Sequence, residues 1–298
     1  MHILKPITLT PSLFTANNVP VNDFAAWNAA TSYTVGTKVI RTTTNRIYRN
    51  GIAGINATLP EADTSGRWFD EGYVNAYKLI DDQSSTQTSQ ANSVIFTVDV
   101  GQNISSLALI NLVGEQVRIQ ATDAGVTSIY DKTISLDVSQ ISSVYDWFYE
   151  PFTQKTDHVE IYFPETYGDP VITITLSGNN AKIGRFVCAK VYEIGTLQYG
   201  ATIGIRDYSI KTTDANNVVS LTKKDNVKLM SFKLVINHSE TNRINTLLRS
   251  LLSVPCVFIG HDSTTYEYTI AHGFYQNFRV ILSLPTVNYC ELDIEELT

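Results

Sequence analysis

The chain has 298 residues, which suggests about two domains or three small ones, enough to bury a core without disulfide or metal support. Charged residues make up 17% of the chain, and 22 basic against 29 acidic residues give a net charge of −7. A mildly acidic chain lacks the basic surface of a nucleic-acid-binding protein, so we expect no nucleic-acid partner.

Cysteine usage and hydropathy narrow the class of protein further. Three cysteines, widely spaced and odd in number, predict no disulfide framework and fit folding in a reducing cytosol. The first twenty residues contain no apolar run typical of a signal peptide, and no stretch approaches the ~18 consecutive apolar residues of a transmembrane helix. We therefore expect synthesis in the cytosol and no membrane insertion.

The first segment, residues 1–72, is predicted to hold an N-terminal arm followed by a small aromatic module. In residues 24–72, aromatic residues and Gly36 recur with turn residues between short strands. The spacing resembles that of small chitin-binding-type carbohydrate-binding modules. The resemblance implies a miniature β fold whose rings either build its core or stack on sugar faces. The candidate rings are Trp27, Tyr33, Tyr48 and Trp68.

Two departures from this family favour the structural role of the rings over the sugar-binding role. Thr37 stands where the family usually has Asp, and residues 51–57 lack the further exposed aromatic residues that such modules present. Both roles remain open on the sequence alone.

The middle segment, residues 73–195, contains a polar run at 81–93 that predicts a linker or a long exposed loop. Runs rich in β-branched and aromatic residues then predict short strands. These runs lie at 94–100, 107–113, 115–121, 171–177 and 185–194. The segment resembles a jelly-roll β-sandwich of the galactose-binding type.

An aromatic connection lies between these strands. Trp147, Phe148 and Tyr149, with Phe152 close by, either form an interaction patch or pack across the edge of the sandwich. Packing is the favoured interpretation.

The last segment, residues 196–298, predicts further strands and one helix. Ile244, Leu247, Leu248, Leu251 and Leu252 follow the spacing i, i+3, i+4, i+7 and i+8 of a single helical face. This pattern predicts a helix of roughly four turns that packs across a β domain and ends before Pro255. The whole chain is thus predicted to be all-β with one helix, arranged as tandem small β domains.

Motifs that carry chemistry are missing from the sequence. There is no nucleophile elbow, phosphate-binding loop, dinucleotide-binding loop or HExxH motif. His261, Asp262 and His272 could converge across a hairpin, but polar residues at a hairpin surface are the favoured interpretation. Hydrolysis of a glycosidic bond needs two carboxyl groups that face each other. Acidic pairs such as Asp70 and Glu71 are adjacent in sequence, and neighbours in a strand point to opposite faces, so these pairs do not provide that geometry.

The three cysteines are the remaining candidates for a reactive side chain. Cys188, Cys256 and Cys290 lie in or beside apolar strands and are predicted to pack in the core. We therefore expect no catalytic residues, no cofactor and no metal site.

Read from end to end, the chain is similar to tail-associated virion proteins of tailed bacteriophages. The residues that carry this resemblance are ILKPITLTPSLFTANNVPVNDFAAWNAATSY, VNAYKLIDDQSSTQT, EIGTLQYGATIGIRDYSIKTTDANN and FYQNFRVILSLPTVNYCELDIEELT. The resemblance implies a structural protein of the tail tip, baseplate or fibre-attachment region. Its partners would be other tail proteins and further copies of itself in a ring.

The third segment also looks like a tail-tube unit, in which neighbouring subunits complete exposed strand edges. The alternative function is a glycan-binding adhesion protein that recognises host surface sugar, or, less favoured, a glycan-cleaving enzyme.

Overall fold

A computed structural model describes residues 1–55, 57–123, 127–139, 143–149, 153–163, 170–214, 217–261, 264–282 and 284–297. Phe152 and Asp262 lie outside these ranges. Within them the chain is mostly strand with one longer helix, which confirms the predicted fold class.

The largest sheet draws its strands from both ends and the middle of the chain, and its neighbouring strands are antiparallel. Its main path runs through β13 (His158–Ile161), β10 (Ser106–Val113), β15 (Ala181–Glu193), β1 (His2–Pro6), β21 (Cys256–Ile259), β22 (Ile270–Ile281), β23 (Val287–Glu296), β20 (Asn226–Asn237) and β16 (Thr196–Leu197). Two further strands lie off this path, where β8 (Thr88–Gln90) pairs with β15 and β17 (Thr202–Asp207) pairs with β20.

A second sheet packs against part of the first and forms a β-sandwich with it. Its order is β12 (Thr127–Ser135), β11 (Gln116–Asp123), β14 (Pro170–Ser177), β9 (Ser93–Asp99) and β2 (Phe14–Asn17). Burial alternates along β14, as expected for a strand with one face in the core. Phe96 of this sheet and Phe186 of the large sheet meet with ring centroids 5.1 Å apart, so the core lies between the two sheets.

Strand β1 lies at the centre of the large sheet rather than in a free arm. His2 faces Glu193 of β15 on one side and Ile259 of β21 on the other. The same sheet therefore continues from strands of residues 73–195 to strands of residues 196–298 through a strand of the first segment.

The polar run at 81–93 packs against the sandwich rather than forming a free linker. Thr88 is fully buried, and its Oγ1 accepts a hydrogen bond from the Leu79 amide at 3.0 Å. Residues 88–90 add the short strand β8 to β15. Hydroxyl side chains can be buried when their hydrogen bonds are satisfied, which polar composition alone does not reveal.

The predicted C-terminal helix is α2 (Thr241–Ser250), which follows a 3₁₀ turn. Ile244 and Leu248 are buried against the large sheet, and Leu251 continues the same cluster just beyond the helix. The helix ends at Ser250, and Leu252, the last apolar position of the predicted face, is exposed. A second helix, α1, spans Val144–Tyr149. The short 3₁₀ segments are Pro11–Leu13, Pro60–Ala62, Asn75–Ile80, His238–Glu240 and Thr264–Thr269.

The remaining strands in the described ranges form three small sheets. In the aromatic module, β4 (Lys38–Arg41), β5 (Arg46–Asn50) and β7 (Trp68–Tyr73) pair in that order, and β3 (Ser32–Tyr33) pairs with β6 (Gly54–Ile55). In the C-terminal segment, β18 (Ile210–Thr213) pairs with β19 (Val219–Thr222).

Candidate functional site

The four predicted sugar-binding rings meet in the core of the aromatic module. Tyr33, Tyr48 and Trp68 are only 8%, 4% and 5% exposed, and Trp27 packs against them. The Arg41 guanidinium lies over the Trp27 ring, 4.8 Å from the ring centroid. A sugar stacks on the exposed face of an aromatic ring. Three of these rings are buried and Arg41 covers the Trp27 ring, so little ring surface is free for a sugar.

The turn before strand β4 explains why the module needs Gly36. Gly36 has φ +85°, a conformation that glycine adopts without strain, and its amide donates to the Asn50 carbonyl at 2.7 Å. Asn50 is fully buried, and its Nδ2 donates to the Thr34 carbonyl at 3.0 Å. These contacts fix the turn that positions Tyr33 over the small sheet.

The aromatic connection of the middle segment is exposed rather than packed across the sandwich. Trp147, Phe148 and Tyr149 are 70–72% exposed in α1, and Val144 and Tyr145 of the same helix are equally open. A six-residue helix with five open apolar side chains is unusual on a monomer surface. The structure therefore leaves these three residues available for interaction.

The histidines near the C-terminal hairpin occupy different environments. His272 is 2% exposed on β22, whereas His261 lies at the surface beside the Tyr266 ring. Burial, with a smaller contribution from Arg185, lowers the pKa of His272 to about 3, so its ring is neutral. Within the described ranges, no three His, Cys, Asp or Glu side chains are placed to hold a metal ion.

The three cysteine thiols are buried and free. Burial raises the pKa of Cys256 to about 12 and that of Cys290 to about 11, and it also raises the pKa of Cys188. A thiol in such an environment stays protonated and is a poor nucleophile.

A cleft of about 790 Å³ lies between the aromatic module, β15 and the loop after α2. The Arg185 guanidinium donates to the Asp81 carbonyl and, at 2.9 Å, to the Asp82 carboxylate. Across the cleft, Arg46 pairs with Asp70 at 2.7 Å. Both arginines of the cleft are therefore paired with carboxylates of the chain itself.

A protruding β ribbon is the main feature that the sequence did not predict. We define the arm as residues 202–214 and 217–225. Strands β17 and β20 pair up to Asp207 opposite Asn226, and β18 and β19 then continue from Ile210 opposite Thr222. Between the two ladders, the Tyr208 amide donates to the Asp225 carbonyl at 3.3 Å and the Lys224 amide donates to Ser209 Oγ at 3.1 Å. The arm is therefore one long antiparallel ribbon.

The arm has no covering layer. Every residue of β17, β18 and β19 is exposed. Among its apolar side chains, Ile205 is 76% exposed, Leu221 is 71% exposed and Val219 is 52% exposed. In the sequence, residues 214–217 (Asp-Ala-Asn-Asn) are of types common in turns and stand between two runs rich in Thr and β-branched residues, which was the available signal for a hairpin.

A further exposed apolar patch lies where β22 is followed by β23. We define the hairpin tip as Ile281, Leu282, Leu284 and Tyr289, which are 43–76% exposed. Ile281 and Tyr289 face each other across the two strands.

Comparison of the chain with models of known protein families gives no match, and comparison with curated proteins gives none either. Of the helices in the described part of the chain, none has both the length and the apolar character needed to cross a bilayer.

Proposed function

We propose that the chain is a structural protein of a bacteriophage tail, which joins the tail tube or baseplate to fibres or other tip proteins by ring assembly. The observation that carries this proposal is the uncovered arm. The similarity of several sequence segments to tail-associated virion proteins supports the tail as the place where the arm acts.

An isolated two-stranded ribbon is only marginally stable in water, and open strand edges with apolar side chains invite pairing with another chain. The arm has both properties, since Ile205 and Leu221 are more than two-thirds exposed along unpaired edges. Soluble monomers seldom keep such a surface without use. A partner that covers the arm would remove its apolar side chains from water and satisfy its backbone groups.

The experiment is light scattering on the purified protein at several concentrations, followed by electron microscopy. We expect a discrete multimer of the 33.1 kDa chain and closed rings with a central channel. A strict monomer at every concentration would contradict assembly by the chain itself.

A shortened variant tests the role of the arm directly. Asp207 and Asn226 are paired in register, so replacing residues 208–225 with Asn-Gly closes the ribbon with a two-residue turn. We expect this variant to be a monomer whose melting temperature stays within a few degrees of that of the full chain, because no core residue is removed. A multimer of unchanged mass would show that the arm is not the assembly element.

A further inference from the structure

The arm and the hairpin tip lie at opposite ends of one strand ladder. Strand β20 pairs with β23 from Leu229 opposite Glu295 to Asn237 opposite Val287. From Ile205 onward the arm extends past the first pair, and the hairpin tip lies beyond the last pair. Eight residue steps at about 3.3 Å separate the two patches by at least ~26 Å. The arm therefore does not cover the tip of its own chain.

The two surfaces suit each other chemically. In the ribbon, Leu221 stands opposite Lys211 and Val219 stands opposite Thr213, so these four side chains share one face. The hairpin tip belongs to a stretch, residues 280–290, without a charged side chain. The arm face can pack on the tip without burying an unpaired carboxylate, and the Lys211 ammonium can reach solvent at the rim.

The same geometry disfavours contact between two arms. In a two-fold pair of arms, one interface would hold both Lys211 ammonium groups, and none of the four residues of the arm face carries a carboxylate to pair with them. Contact between the arm and the tip avoids this repulsion and joins two different surfaces. Repetition of such a heterologous contact produces a ring when the rotation closes.

We propose that the arm of one copy docks on the hairpin tip of a second copy of this chain, in a head-to-tail contact. This inference rests on the proposed ring assembly and identifies its two complementary surfaces. Leu221 of one copy then packs beside Leu282 of the next.

Disulfide trapping tests this contact on the full chain. The native Cys188, Cys256 and Cys290 are buried and give little background cross-linking. Leu221→Cys and Leu282→Cys variants are prepared separately, mixed in equal amounts and oxidised. We expect a covalent dimer in the mixture and none in either variant alone. Leu252→Cys, which is also exposed, is the matched control that should not cross-link with Leu221→Cys.

Two results would overturn the docking contact. One is a covalent dimer of Leu221→Cys with itself, which indicates arm-to-arm contact. The other is a multimer by light scattering that gives no mixed disulfide, in which case ring assembly stands and the hairpin tip is not the acceptor. A monomer by light scattering contradicts the proposed ring assembly itself, so the two failures are distinguishable.

Substitutions that introduce opposite charges on the two surfaces give a second test. Leu221→Lys and Leu282→Asp should each raise the concentration needed for assembly by at least about tenfold, since each places a charge in an apolar contact. The two variants mixed together should recover assembly, because the new charges then face each other. Loss of assembly without recovery in the mixture would count against direct contact between these positions.

Discussion

Tyr33 and Trp68 pack edge to face in the aromatic module, with ring centroids 5.3 Å apart and ring planes at 76°. This is a favourable arrangement for two aromatic rings and stabilises a fold too small to have a large core. The aromatic rings that were candidate sugar contacts in the sequence therefore form the core of the module.

Replacing Trp68 with Ala should destabilise the module by about 3–5 kcal/mol, because it removes a buried aromatic side chain from a miniature core. Limited proteolysis between residues 24 and 72 and near-ultraviolet circular dichroism would detect the loss. The matched control is Phe24→Ala, whose ring is 40% exposed and should matter much less. A Trp68→Ala protein that keeps its stability but loses binding on a sugar array would favour the glycan alternative instead.

Local patterns predicted the parts of the fold that depend on local contacts. The helix followed from the spacing of Ile244 and Leu248, and the module followed from aromatic residues within about 45 positions of one another. The central place of β1 was not predictable, because its partners lie about 185 and 255 residues away and pairing over such distances leaves no local pattern. The exposure of Trp147 was missed for a similar reason, since composition does not reveal which surface lacks a neighbour.

Gly273→Ala should strongly destabilise the large sheet. A Cβ at this position would lie 2.0 Å from the Glu295 carbonyl oxygen of the adjacent strand, so β22 and β23 would have to separate. We expect a loss of more than about 3 kcal/mol in the free energy of unfolding, or an insoluble protein. Urea unfolding followed by tryptophan fluorescence measures the change.

Gly204→Ala is the matched control for that substitution. Gly204 also lies in a strand, but a Cβ there meets nothing within 4 Å. The free energy of unfolding should stay the same or rise by up to about 1 kcal/mol, because alanine restricts the unfolded chain more than glycine does. Equal effects of the two substitutions would show that crowding at Gly273 is not the cause.

The double replacement Trp147→Ser and Phe148→Ser should reduce surface hydrophobicity without loss of stability. Both side chains are at least 70% exposed, so little core packing is removed. We expect weaker retention on a hydrophobic column, less binding of an apolar dye and a melting temperature within about 2 °C of the parent protein. A large fall in melting temperature would mean that the rings are packed after all.

Buried His272 should make the stability of the protein depend on pH. Its ring stays neutral in the folded chain because burial, aided by Arg185, lowers its pKa to about 3, whereas its ordinary value is 6.5. Between these values the unfolded chain binds the extra proton, so the free energy of unfolding falls as the pH falls. The slope for one such group is at most about 1.4 kcal/mol per pH unit.

Urea unfolding between about pH 7 and pH 5 covers this range while ordinary carboxyl groups stay largely charged, and a His272 variant separates its contribution from that of the other four histidines. Replacing His272 with Leu, an apolar side chain suited to the buried site, should flatten the dependence and leave stability near pH 7 the same or higher. The exposed His261→Gln variant should keep the slope of the parent protein. A His272→Leu protein with an undiminished slope would assign the pH dependence to other groups.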